Sequence, residues 1–280
     1  MIIDIHTHVF PDRMAAEVID KLSKISRSKA FTNGTLDQLR RSMDEAGVDL
    51  SIVLPVATNS QQVEKVNDAS ARLNEKSAEV ISFGCMHPDF TNYSAELSRV
   101  VRLGLKGIKL HPIYQETDID DLKFLRIIDR AAELGLIVIT HAGLDIGFPG
   151  VVHCSPRMIK HVIDEIGDCK LIAAHMGGWR NWNEVPETLA ETSVMIDTAF
   201  STEMIIPREG CEWNEKDRRM LDGDQFLKFV AAFGAERILF GTDSPWSDQK
   251  QSIRFVNRLP LDDDARSKIL GGNAQTLLEA

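Results

Sequence analysis

Cysteine is scarce and unpaired by spacing: Cys85, Cys154, Cys169 and Cys211 lie far apart, with no Cys-x-x-Cys unit among them. That predicts reduced thiols rather than a disulfide framework. No apolar run approaches the ~20 residues that span a bilayer, so no membrane segment is expected. Positive charge is in deficit, with 32 Lys and Arg against 42 Asp and Glu and a formal net charge of -10. Neither nucleic acid nor an anionic membrane surface is attracted by that balance, so the expected partner is a small-molecule substrate. No stretch rich in Pro, Gly or Ser reads as a linker, and residues 1–280 are expected to form a single domain. No leader segment is expected either, because the chain opens on an apolar strand, and the compartment expected is cytoplasmic. What remains, 43% hydrophobic and 26% charged residues, is the composition of a globular protein.

What is present is a repeated alternation of strand and helix patterns. Met1-Ile-Ile-Asp-Ile-His-Thr-His8 reads as a first strand, and Pro11 stops it. A helix is predicted over Asp12–Ile25, and a second opens at the capping pattern Thr35-Leu-Asp-Gln38 and closes at Gly47. Short apolar strands follow at Leu50–Leu54, stopped by Pro55, and at Val80–Met86, Lys106–Leu110 and Leu136–Ile139, separated by helical stretches. Thr117 is the predicted cap of a helix whose apolar face is Leu122, Leu125, Ile128 and Ala132; Ser155-Pro156 starts the next one, which Gly167 stops. Lys170–Ala174, Val194–Asp197 and Arg237–Phe240 supply strands six to eight. Eight strands, each followed by a helix, within 280 residues predict an α/β fold of the (β/α)8 TIM-barrel type. An open doubly wound sheet would carry a Gly-rich phosphate turn after its first strand, and none is there.

Histidine is distributed unevenly over that pattern. His6 and His8 alternate on the first strand and therefore share a face. His87 follows strand three, His111 strand four, His141 strand five and His175 strand six, while Asp243 follows strand eight. Strand C-terminal ends carry the active site in barrel enzymes. Buried imidazoles lose solvation, which a metal ion or a proton-transfer role compensates. The pattern predicts a metal centre. His153, in a loop, and His161, on the polar side of its helix, are read as structural or solvated.

Asp4-Ile-His-Thr-His8, Thr-His141-Ala-Gly, Ala-His175-Met-Gly-Gly and Phe-Gly-Thr-Asp243-Ser-Pro-Trp together resemble the amidohydrolase superfamily. More narrowly, they are similar to its branch of TIM-barrel hydrolases, lactonases and aminocarboxymuconate-semialdehyde-type decarboxylases, often called amidohydrolase family 2. The resemblance runs from Ile3 to Leu278. It implies that His6, His8, His141 and Asp243 bind one divalent ion, most often zinc, with manganese as an alternative, and that His175 stands beside it as a proton donor or charge stabiliser. Binuclear branches bridge two metals from the end of strand four, where this chain has Lys109 and His111. The expectation here is a single metal, with Lys109 touching a substrate carboxylate or oxyanion. Related barrels often pair, so a homodimer is expected.

The reaction implied is hydrolysis of a lactone, amide or ester by activated water, with Asp243 taking the proton and His175 serving the leaving group. The same site can run a non-oxidative decarboxylation. A phosphoesterase or nuclease and an inactive metal-binding barrel are the remaining alternatives. For the first of these the chain lacks a histidine two residues after Asp243, and it has Lys109 where a glutamate would stand. Further substrate candidates are His111, Asp145 just after His141, Trp179 beyond the Gly-Gly turn, and Arg208. The last lies in a long connection, Ser201–Leu221, expected to act as a lid or interface.

Overall fold

The computed structural model describes residues 1–280. In chain order its elements are β1 (Ile3–Thr7), α1 (Asp12–Ser26), α2 (Leu36–Ala46), β2 (Leu50–Val53), α3 (Val63–Asn74), β3 (Val80–Ser82), β4 (Gly84–Cys85), α4 (Tyr93–Arg102) and β5 (Gly107–Leu110). They continue with α5 (Leu122–Glu133), β6 (Ile137–Thr140), α6 (Pro156–Ile166), β7 (Leu171–Ala173), α7 (Val185–Leu189), β8 (Met195–Asp197), α8 (Glu215–Arg218) and α9 (Gly223–Phe233). Last come β9 (Ile238–Leu239), α10 (Gln249–Arg258), α11 (Asp263–Ser267) and α12 (Asn273–Glu279), the final two joined by a π-helical turn over Lys268–Gly272. The residues fall into two compact units: Met1–Ser51 with Thr198–Ala280, and Ile52–Asp197. No helix is long and apolar enough to cross a membrane.

In the second unit β4, β5, β6, β7 and β8 lie side by side in that order, all parallel, with Gly107–Leu110 against Ile137–Thr140. Ile108, Val138, Ile139 and Ile172 are buried, as expected of strands covered on both faces. In the first unit β1 runs beside the chain that follows β9: Ile5 N donates to Phe240 O, Asp243 N to His6 O, and His8 N to Ser244 O. Residues 198–200 flank the other side of that segment, Thr198 N donating to Leu239 O and Phe200 N to Thr242 O.

Side-chain caps open six of the twelve helices. Thr35 accepts from Gln38 N, Ser155 from Met158 N and Asp222 from Gln225 N, while Gly47 leaves α2 in a left-handed conformation. Two expectations need correction. Strand three, predicted unbroken over Val80–Met86, is split at Phe83 into β3 and β4. Amide side chains of α3 take its ladder positions: Asn74 Oδ1 accepts from Ser82 N at 2.6 Å and Asn67 Oδ1 from Cys85 N at 2.8 Å. The second correction concerns α5, which is capped by Asp121, not Thr117. Its buried face is Phe124, Ile127, Ile128 and Ala131, whereas Leu122 is exposed. Thr117 instead turns its hydroxyl to Gln115 O.

Candidate metal centre and imidazole cluster

β1 presents Asp4, His6 and His8 on one face, because alternate residues of a strand point the same way. His6 is buried and His8 partly open. The chain beyond β9 meets them with Asp243, whose backbone adopts a left-handed conformation at φ 63°. Asp243 Oδ1 lies 3.0 Å from His8 Nε2 and 3.3 Å from His6 Nε2. Two imidazoles and a carboxylate offering one atom each within 4.8 Å of one another make a donor set suited to a divalent ion.

Beneath this triad lies a further carboxylate, that of Asp4, which opens the Asp4-Ile-His-Thr-His8 motif. Asp4 is fully buried, and burial pushes its carboxyl up to about 6 even though four hydrogen bonds pull it down. Those bonds come from His6 N, Thr242 N, Thr242 Oγ1 and Gln249 Nε2. The available signal was the alternation itself, since Asp4 shares the strand face of His6 and His8.

The second unit gathers the remaining candidates. Lys109 and His111 leave β5, His141 follows β6 and His175 follows β7, all of them buried. His175 Nε2 is 3.0 Å from His141 Nδ1, and His141 Nε2 is 3.1 Å from Leu144 O. A carbonyl only accepts, so the network assigns the His141 proton to Nε2 and makes His175 the donor to Nδ1. As a metal ligand, His141 has first to release one of these partners. The His141 ring also stacks on His111 at 4.4 Å, and Tyr114 stacks on the other face of His111 at 3.9 Å. Asp145 Oδ2 approaches His111 Nε2 at 3.8 Å, and Asp145 accepts from Gly147 N. His111, His141 and Asp145 form a second group whose donor atoms lie within 4.8 Å of one another.

His175 is held in a left-handed conformation at φ 60°, with its N–H on Asp197 Oδ1 at 2.9 Å and its carbonyl on Trp182 Nε1 at 3.0 Å. Trp179 donates its backbone N–H to Ala142 O, and Arg180 lies over its ring. His87 is buried and accepts from Asp89 N. His153 pairs with Asp118 and His161 with Asp120, as surface residues would. Arg208 departs from expectation: its guanidinium binds Asp20 of α1 through Oδ1 at 2.8 Å and the carbonyl at 3.0 Å. The connection around it is tied to the same helix end by Lys29 N on Ile206 O and Trp213 Nε1 on Arg27 O. It is a strap on α1, with Arg208 engaged by Asp20.

Burial holds the His141 imidazole well below its ordinary value, with His111, His175 and Lys109 adding to the effect. The sign follows from proton counting. Below about 6.5 the unfolded chain binds a proton at this position that the folded chain refuses, so folding stability is lost as pH is lowered, at up to about 1.4 kcal/mol per unit. Metal-free protein is therefore expected to show a falling thermal midpoint from pH 7 to pH 5, with a shallower fall in His141→Asn; equal slopes would remove His141 as the cause.

Residues 3–279 match the family model described as Amidohydrolase. No curated protein matches the sequence. Among solved structures, an uncharacterised TIM-barrel protein from Bordetella bronchiseptica superposes with a TM-score of 0.76 at 17% identity, covering 99% of this chain and 98% of that one. A dihydroxybenzoic acid decarboxylase from Polaromonas, with bound manganese, gives 0.69 at 16% identity over 99% and 96%. A putative 2-pyrone-4,6-dicarboxylic acid hydrolase from Pseudomonas putida gives 0.64 at 16% over 99% and 97%. At these identities the likeness shows the fold, and the fold is that of the TIM barrel.

Proposed function

The chain belongs to the amidohydrolase family, and from that premise we propose that it is a metal-dependent hydrolase of a small carbonyl compound, a lactone, amide or ester. One observation carries the reading: Asp243 Oδ1 lies between the Nε2 atoms of His6 and His8, at 3.3 and 3.0 Å. Two histidines and one carboxylate are a donor set of catalytic zinc sites that keep a coordination position open. Zinc is the ion expected, and the manganese in the Polaromonas decarboxylase makes manganese the first alternative. A divalent ion bound there supplies Lewis acidity, polarising a carbonyl and making water a nucleophile near neutral pH.

The protein's own groups move the protons. Asp243 accepts one from the attacking water at its carboxylate. A C–O bond forms to the carbonyl carbon, the bond to the leaving group breaks, and His175, releasing its bond to His141 Nδ1, gives the leaving group the proton of Nε2. The low proton affinity of His141 keeps that neighbour an acceptor, so its pairing with His175 orients the donor rather than adding charge. Lys109, a buried lysine, is the group for a substrate carboxylate or oxyanion.

Decarboxylation is the second reading, favoured by the name of the Polaromonas protein of the same fold and by the buried Lys109. Protein purified without added metal is expected to carry about one zinc per chain by mass spectrometry, held by His6, His8 and Asp243; close to two would mean that the second group, His111, His141 and Asp145, is filled as well. Incubation with a lactone panel and with carboxylated aromatics then separates the readings: ring-opened acid supports hydrolysis, and carbon dioxide with the ring intact supports the lyase. No metal, with no gain on adding zinc or manganese, overturns both. Metal content of His141→Ala tells whether that imidazole is a ligand.

A further inference from the structure

We propose that Asp4 is a positioning residue that sets the distance between His6 and Asp243 and so tunes the affinity of the His6–His8–Asp243 triad for a divalent ion. The inference rests on the metal reading above. Asp4 Oδ1 accepts from His6 N at 3.2 Å and from Thr242 N at 3.0 Å, thereby tying the residue before Asp243 to one of the two imidazole ligands. Its second oxygen accepts from Thr242 Oγ1 at 2.6 Å and from Gln249 Nε2, in the first turn of α10, at 2.8 Å. Asp243 N donates to His6 O at 2.8 Å, so the same two segments are joined once above the carboxylate and several times around it.

All four partners of Asp4 are donors, which is the environment of an ionised carboxylate. The orientation of Gln249 says the same. Its Nε2 reaches Asp4 and Ser51, while its Oε1 is buried with no hydrogen-bond partner. An amide that leaves its oxygen unsatisfied in order to aim its N–H at a neighbour marks that neighbour as an acceptor the site requires. Nothing in this arrangement touches a reacting atom: Asp4 works through the backbone of His6 and Thr242. A carboxylate one layer below a ligand pair acts on the metal by fixing ligand orientation, and groups in that position change metal affinity by about 10- to 100-fold.

The test is the affinity of folded, metal-stripped protein for zinc and cobalt(II) by chelator competition, with the cobalt absorption spectrum as a report of ligand geometry. Asp4→Ala is expected to weaken binding by about 10- to 100-fold and to shift the cobalt spectrum. Asp4→Asn keeps an acceptor oxygen, and its amide can donate to a turned Gln249 Oε1, so it is expected to recover part of the loss. Thr242→Val, which removes one donor to Asp4 together with the acceptor of Ser244 N and leaves Asp4 itself in place, is expected to fall between, and it decides the matter with Asp4→Asn if the alanine variant does not fold. A purely structural carboxylate would lower the thermal midpoint and leave affinity and spectrum unchanged in whatever remains folded; that result overturns the proposal. The two readings fail separately. Wild type that binds no divalent ion overturns the metal centre and this role with it, whereas tight binding by wild type and variants alike overturns only the role of Asp4.

Discussion

His6→Ala is expected to lose its bound divalent ion and about a thousandfold in kcat/KM, because Lewis-acid stabilisation amounts to several kcal/mol and each tenfold in rate is 1.36 kcal/mol. His6 is the more buried of the two imidazoles, with its side chain 1% exposed against 17% for His8. Truncating it leaves one imidazole and one carboxylate facing a space that water then fills. Two donors hold a divalent ion far less well than three, and the water that replaces the ring stabilises no developing charge. Asp243 loses one of the two imidazoles it faces. The fold is expected to survive, since a single truncation of this kind costs about 1–3 kcal/mol. Metal per chain and kcat/KM are measured on the same preparation, beside His161→Ala as a control, because His161 lies at the surface and pairs with Asp120. A His6→Ala protein that keeps its metal and its rate removes the triad from the mechanism.

The triad was legible because alternation on a strand is a local rule: residues 6 and 8 share a face wherever the strand goes. The cluster around His141 was legible for a related reason, since barrel strands deliver their next residues to one end. What escaped was settled by competition among neighbours. Thr117, Asp118, Asp120 and Asp121 all look like caps for α5. In the folded chain Asp118 is held by His153, Asp120 by His161 and Thr117 by Gln115 O, which leaves Asp121. The buried face is Phe124, Ile127, Ile128 and Ala131, with Leu122 exposed. Arg208 escaped in the same way, because its partner Asp20 lies 188 positions earlier on a helix that periodicity locates but does not orient. The break at Phe83 needed the reach of Asn67 and Asn74 from a helix to be known. Spacing can reveal which residues share an element's face; it does not say which of several equal partners a polar side chain takes.

Gly143→Ala is expected to cost about 3–5 kcal/mol, combining strain at positive φ, overpacking and two weakened hydrogen bonds. Gly143 sits two residues after His141 at φ 86°, a conformation that L side chains rarely adopt. A Cβ placed there would stand 2.2 Å from Trp179 N and 2.4 Å from Trp179 O, both backbone atoms that no rotamer change can move away. Those atoms are already engaged, Trp179 N with Ala142 O at 2.8 Å and Trp179 O with Leu144 N at 3.0 Å. Relief therefore requires the two segments to part, and both bonds weaken together. His141 precedes one segment and His175 the other, so their 3.0 Å contact opens as well. The thermal midpoint should fall by about 10 °C, given roughly 2–4 °C per kcal/mol for a chain of this size. Gly135→Ala provides the comparison, because its φ of 70° is also positive but nothing lies within 4 Å of the added carbon. It isolates the backbone strain, about 1–2 kcal/mol. Equal losses in the two variants would show that strain alone is at work and that the Trp179 segment yields to accommodate a methyl group; a much larger loss at Gly143, with a weakened His141–His175 pair, identifies the close approach of the two segments as what holds the imidazoles together.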